Sequence, residues 1–339
     1  MANNAAVSNF VSDITQDRFI PKVVDNIFNG NVLTMRLSRN RAKTWRGGTE
    51  INVPVYLTAP TTGGSYAGFD TFITTQETKT QIAVFRASQL YWNASLNGIQ
   101  LALNQGEARV VDLVASELDI IGEALRQELG TQLYGDGTGN NNKDLLGLVA
   151  AVDDSTNVTT YGALSRATFT NWRATLTAQS GSLSLANLAA DVDAAQVGSN
   201  MPTLAVCPPA VWTIYEALIT PTVSHNATVT EFRLTPEGGK QLSNLGGNQG
   251  FRALAFRGIP VVSDEKCTAQ NLYFLNEDHL TWWNIPPAPT LERTVNRGFQ
   301  WTGWKEAINQ DGVAGQLLFY GQLTTDSPRV HSRRTGISS

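Results

Sequence analysis

Three histidines and two cysteines are the side chains of this 339-residue sequence best suited to nucleophilic or metal chemistry. A serine or cysteine hydrolase needs a histidine beside its nucleophile and a carboxylate to orient that histidine. His225 stands in the polar run TVSHNAT, His279 in the turn-like NEDHL and His331 in a basic tail, and no GxSxG elbow accompanies them. No catalytic residue is expected. Cys207 and Cys267 sit singly in apolar stretches, without a CxxC pair or a histidine at ligand spacing, so neither a disulfide framework nor a zinc site is supported. Both suit a reducing interior such as bacterial cytoplasm.

The run GDGTGN at 135–140 superficially matches a phosphate loop, yet it lacks the GK[ST] ending. It also follows a helical pattern, where a phosphate loop follows a strand and opens a helix. It reads as a turn that ends a helix. The acidic pairs Asp153/Asp154 and Glu277/Asp278 have no EF-hand spacing around them and read as solvated turns. Neither a cofactor nor a metal is expected.

Cations cluster twice, as Arg36, Arg39, Arg41, Lys43 and Arg46, and again as Arg329, His331, Arg333 and Arg334. They meet phosphates if they share one face, and otherwise form salt bridges between subunits or a solvated arm. A net charge of -4 argues against a protein whose whole surface grips nucleic acid. All eight tryptophans lie among apolar or strand-like residues, which favours core or interface packing over base stacking.

Charged residues make up 16% of the chain, against roughly 25% in an average soluble protein. Much of the surface is therefore expected to face other protein, because interface cores are depleted of charge. The start lacks the basic and apolar regions of a secretory signal, and no run of about 18 apolar residues spans a membrane.

Residues up to 45 read as an extended arm with little core of its own. In EINVPVYL, Ile51, Val53, Val55 and Leu57 alternate with polar or proline positions, as in a half-buried strand, and Pro54 assigns it to an edge. A matching run, TQIAVFRASQLYW, completes a long hairpin. Such a hairpin is marginal alone, so another subunit is expected to cover it. From Ile99 to about Tyr134, Val110, Val114, Leu118, Ile121, Leu125 and Leu129 step by three or four, giving a spine helix about 45 Å long. Helices are expected over 169–176, 183–197 and after Pro208 and Pro209, with strands at TLAVC, ALAF, IPVV, NLYFL, TLERTV and QLLFYGQL. A Gly-rich loop, EGGKQLSNLGGNQG, precedes ALAF.

This order of elements resembles the tailed-bacteriophage major capsid proteins of the HK97 type. The carriers are LYGDGTGNNNKDLLGLV, TLAVCPPAVWTIYEAL and FRGIPVVSDEKCTAQNLYFLN. The resemblance implies an α+β fold with an arm at 1–45 and an extended hairpin, or E-loop, at 46–94. A peripheral domain with the spine helix would cover 95–199, an axial domain 200–285, and a return to the peripheral domain with a C-terminal tail 286–339.

It further implies a non-enzymatic coat subunit of hexamers and pentamers, closing into an icosahedral head around double-stranded DNA held by non-specific contacts. The virion would be its location, after assembly in the host cytoplasm. Because the arm begins near Met1, scaffolding is expected from a separate protein, alongside a portal. The expected assembly residues are Tyr66, Phe69, Phe72 and Lys79 of the hairpin, with Arg36, Arg39, Arg41, Lys43 and Arg46. Lys79 is the hairpin's only lysine, and no surrounding motif matches the lysine–asparagine cross-link of some members. The alternatives are an encapsulin-like nanocompartment shell, a phage tail subunit and an unrecognised soluble enzyme.

Overall fold

A computed structural model describes residues 31–99, 107–219, 253–291, 293–296, 298–306 and 311–338. His225, the Gly-rich loop and arm residues 1–30 lie outside the described residues. Side chains at positions three or four apart stack on one face of an α-helix. Leu118, Ile121, Leu125, Leu129 and Leu133 follow that spacing and are all buried, while Asp119, Ile120 and Glu123 face outward. The spine helix that carries them runs Glu107–Leu133, about 40 Å. The side chains of Val110 and Val114 lie outside the described set.

The helix lies against a seven-stranded sheet built on one long strand, Gly312–Thr325. One edge of that strand takes Ser88–Asn97 antiparallel. Its other edge takes Leu280–Asn284, Phe299–Trp301 and the short Lys305–Glu306. Ala42–Thr44 extends the sheet in parallel beyond Leu280–Asn284, and Thr294–Asn296 extends it beyond Phe299–Trp301. Aromatic rings fill its inner face, with Trp282 stacked on Phe319 at 5.5 Å and Phe299 4.9 Å from the same ring.

A second sheet has six strands in the order Thr175–Ser182, Ser332–Ser338, Leu272–Leu275, Leu204–Cys207, Ile259–Ser263 and Ala253–Phe256. Alternate residues of a strand point to opposite faces. In Leu204–Cys207 all four are buried, because Leu204 and Val206 face the spine-helix core while Ala205 and Cys207 face the helices Leu185–Ala195 and Pro209–Ile219. Ser184 caps the first of these helices by accepting from the Asn187 amide, and Pro209 opens the second. This sheet draws strands from 175–182 and 332–338, both outside the 200–285 segment expected to form one unit.

Three expectations are corrected. Residues 31–40 are not an extended arm. Val32–Asn40 is a helix with Val32, Leu33, Met35 and Leu37 buried in the main core. The expected helix at 169–176 is a single 3-10 turn, Thr170–Trp172, followed by the strand Thr175–Ser182, which pairs in parallel with the C-terminal strand. The hairpin Ile51–Tyr56 with Thr80–Phe85 forms as expected, with Pro54 opposite Ile82, but the chain itself covers one face of its base. Ile51, Val55, Leu57, Ala83 and Phe85 join the main core, and the Val84 amide donates to the Gly162 carbonyl.

The spine helix ends in the expected turn. Asp136 accepts from the Thr138 amide and hydroxyl, which holds its carboxyl below the usual range despite partial burial. Asn140, Asn141 and Asn142 then follow with positive φ, a conformation asparagine tolerates better than most residues. Gly147 passes so close to the helix end that a Cβ there would lie 2.4 Å from the Gln132 carbonyl oxygen.

Candidate assembly interface

Between the two hairpin strands, residues 57–79 form a long loop, tied to the rest of the chain at Leu57, whose carbonyl accepts from the Asn171 side chain. Thr61 donates from its amide and hydroxyl to Glu77, and the hydroxyl holds that carboxyl below its ordinary range. Asp70 accepts from the Ala67 amide. Tyr66 and Phe72 touch edge to face at 5.1 Å, and Phe69 and Ile73 belong to the same loop. Phe69 is fully exposed at 106%, Tyr66, Phe72 and Ile73 at 65% or more. Three aromatics and an isoleucine on one loop, uncovered by their own chain, form a patch of the kind that marks an interaction site. Lys79 is exposed at the neck, where its carbonyl accepts from Leu57.

The first basic run does not act as a unit. Arg36 reaches from its helix to Glu277 with both Nε and Nη2, and Thr203 donates its hydroxyl to the same carboxylate. Arg41 pairs with Asp278, and Arg39 is likewise engaged within the chain. Lys43 lies 5.8 Å over the Trp283 ring, and Arg46 is exposed. Two of the five cations thus pin the helix Val32–Asn40 onto the turn Glu277–His279 of their own chain.

The second run is corrected outright, since His331, Arg333 and Arg334 are buried and only Arg329 is exposed. Arg334 grips Asp191 with Nε and Nη2 at 2.5 and 2.7 Å. Burial raises the Asp191 carboxyl even so, with Arg334 opposing. His331 accepts the Asn276 amide at Nδ1, which leaves Nε2–H to donate to the Thr325 hydroxyl. Burial drives its pKa down to about 3. His279 moves the other way through its bond to Asp326, 2.7 Å away.

Neither acidic pair is simply a solvated turn. Glu277 is buried against Arg36, whereas Asp278 stays exposed. Asp153 is fully buried; burial works to raise its carboxyl, but the amides of Val158, Asn157 and Ser155 and the Asn157 side chain outweigh it and lower it. Arg166, also fully buried, lies 3.8 Å away and donates to the carbonyls of Ala150, Ala151, Val158 and Trp172. This clamp was not legible in sequence, because nothing local distinguishes Arg166 from a surface arginine.

Among the described residues no group of three or more His, Cys, Asp or Glu side chains could hold a metal, and no helix is long and apolar enough to cross a membrane. Cys207 and Cys267 are buried free thiols, pushed upward in pKa by burial.

No family model matches the sequence, and no curated protein does. Solved structures are similar over nearly the whole chain. The cyanophage A-1(L) capsid asymmetric unit matches 91% of this chain and 93% of its own at 17% identity, with a TM-score of 0.63. The SrpI encapsulin complex of Synechococcus elongatus PCC 7942 matches 88% and 85% at 10% identity, TM-score 0.54. The capsid of the native GTA particle matches 89% and 90% at 12% identity, TM-score 0.51. Arm helix, hairpin, spine helix and paired sheets therefore compose the HK97-type fold of capsid shell proteins.

Proposed function

We propose that this chain is a non-enzymatic coat subunit that assembles with copies of itself, as hexamers and pentamers, into the icosahedral head of a tailed phage. The observation that carries the reading is the shared fold with the cyanophage A-1(L) capsid along 91% of the chain. The uncovered hairpin tip supports it, because an aromatic patch on a projecting loop gains its burial from a neighbour. Tyr66, Phe69 and Phe72 are the proposed contact residues, with Lys79 at the loop's neck. Arg36 and Arg41 would serve assembly indirectly, by fixing the helix from which the hairpin departs. Arg39 belongs with them, and Lys43 and Arg46 face outward toward a neighbour or toward packaged double-stranded DNA. Separate scaffolding and portal proteins complete the proposed partners.

The encapsulin likeness favours one rival, a shell that encloses protein cargo. Electron microscopy of the purified chain separates these readings from the rest: closed shells are expected, and tubes or dispersed monomers would contradict them. Nuclease-resistant double-stranded DNA inside particles from infected cells is expected for the phage head. A packaged protein in place of DNA would favour the nanocompartment.

A further inference from the structure

The strands Phe299–Trp301 and Thr294–Asn296 close one end of the seven-stranded sheet. Beside them the chain turns at Gly303, with φ 74°, and enters the short strand Lys305–Glu306. These segments border a cavity of about 690 Å³, within the roughly 300–1,000 Å³ of small-molecule sites.

The polar side chains on its walls are biased toward hydrogen-bond donors. Trp301 and Trp304, edge to face at 5.4 Å, line it with Arg293 and Lys305, and all four carry donors and no acceptor. Both indole N–H groups are buried without a partner, so this region of the chain is short of acceptors. Thr290, Thr294 and Thr302 add hydroxyls, of which that of Thr302 already accepts from the Gln316 amide at 2.9 Å. No carboxylate lines the cavity among the described residues. Two cations without a lining acid give it a positive potential.

The cations differ in how they are held. Arg293 donates Nη1 to the Gln300 side chain at 2.9 Å, and the fully buried Gln300 in turn donates to the Ile285 carbonyl at 3.0 Å. Lys305 is exposed and forms no ion pair among the described residues. One positive group is thus fixed by a buried amide, and the other is left for a ligand.

We propose that this cavity is a binding site for a phosphate group, whose two negative charges meet Arg293 and Lys305 and whose oxygens accept from them and from the Thr290 or Thr294 hydroxyl. A ligand that offers only acceptors complements a wall that offers mainly donors, and a planar guanidinium suits a phosphate in particular. The inference stands independently of the coat reading. Inorganic phosphate and the backbone of a nucleic acid present the same group.

The test is calorimetric titration of the full chain with inorganic phosphate. Saturable binding of one phosphate per chain is expected, displaced by sulfate but not by chloride at equal ionic strength. Lys305→Met should weaken it at least about tenfold, the lower end for a hydrogen bond to a charged group. Its thermal midpoint should match the parent's, because Lys305 is exposed. Lys305→Arg, which keeps the charge, should bind within about threefold of the parent. Absence of saturable binding to the parent, or undiminished binding to Lys305→Met, would overturn the site. Acetate that displaces phosphate at a lower concentration than sulfate does would overturn the assignment to phosphate. A short DNA duplex that displaces the bound phosphate would identify nucleic acid as the source of the group, and a duplex that leaves it in place would identify the free ion.

Discussion

The two ends of one hairpin meet opposite fates. At the base, Ile51, Val55, Ala83 and Phe85 alternate inward and are buried against their own chain, with the Phe85 ring 5.1 Å from Tyr161 and Gly162 close beneath it. Between these two strands, at the far end of the loop, Tyr66, Phe69 and Phe72 are just as apolar and stay uncovered. Hydrophobicity alone does not distinguish the two ends; what distinguishes them is whether a second element of the same chain lies within reach. The base is a part of the fold, and the tip is left uncovered by its own chain.

The sharpest way to break this comparison is to remove the tip. Deleting residues 63–72 should abolish shell formation while leaving a soluble subunit with the parent's thermal midpoint; normal shells in the electron microscope would refute the division. Next in size is the spine. Leu118 is 1% exposed, and Leu118→Ala should cost about 2–5 kcal/mol, a large share of the ~5–15 kcal/mol that holds an ordinary domain. Urea unfolding should show that loss in the isolated subunit, before assembly enters.

A smaller effect is expected where the arm helix is pinned. Arg36→Leu leaves Glu277 buried with the Thr203 hydroxyl as its remaining side-chain donor, and hydrogen bonds to charged groups are worth about 1.5–3 kcal/mol. The expected midpoint shift in urea is correspondingly less than that of Leu118→Ala. A further effect, zero near neutral pH and growing as pH falls, is the pH dependence of His331. Its imidazole takes a proton near pH 6.5 when unfolded but only near 3 when folded. The unfolded state therefore binds more protons across that window, and stability falls with falling pH by up to ~1.4 kcal/mol per pH unit. His279 has the opposite sign: its raised folded pKa contributes stability that is fully present below 6.5 and lost as pH rises from there through the folded pKa. His331→Asn should flatten the slope of the urea midpoint between pH 4 and 6; an unchanged slope would mean other groups dominate.

Period and turn chemistry made the spine helix, the hairpin and the strand at Leu204–Cys207 legible, because each depends on residues within a few positions of one another. The failures share a cause in partners that lie far away in sequence. Phe169, Trp172 and Leu176 have spacings compatible with a helix, yet Thr175–Ser182 is held as a strand by the C-terminal segment, with Arg333 opposite Leu176. Arg36 and Arg41 look like free cations until Glu277 and Asp278, more than 230 residues on, are brought beside them. Arg333 and Arg334 look like a basic tail until the strand that carries them pairs inside a six-stranded sheet. The exposure of the tip was legible for the complementary reason, since among the described residues no strand pairs with it.

Hydrogen exchange on the soluble subunit and on assembled shells tests the division between base and tip most directly. In the subunit, amides of the spine helix and of the hairpin base at 51–56 and 80–85 should be among the slowest, and amides at 60–76 among the fastest. On assembly, the tip amides should slow while the base stays unchanged. A tip already protected in the isolated subunit, or one that exchanges equally fast in shells, would contradict the account.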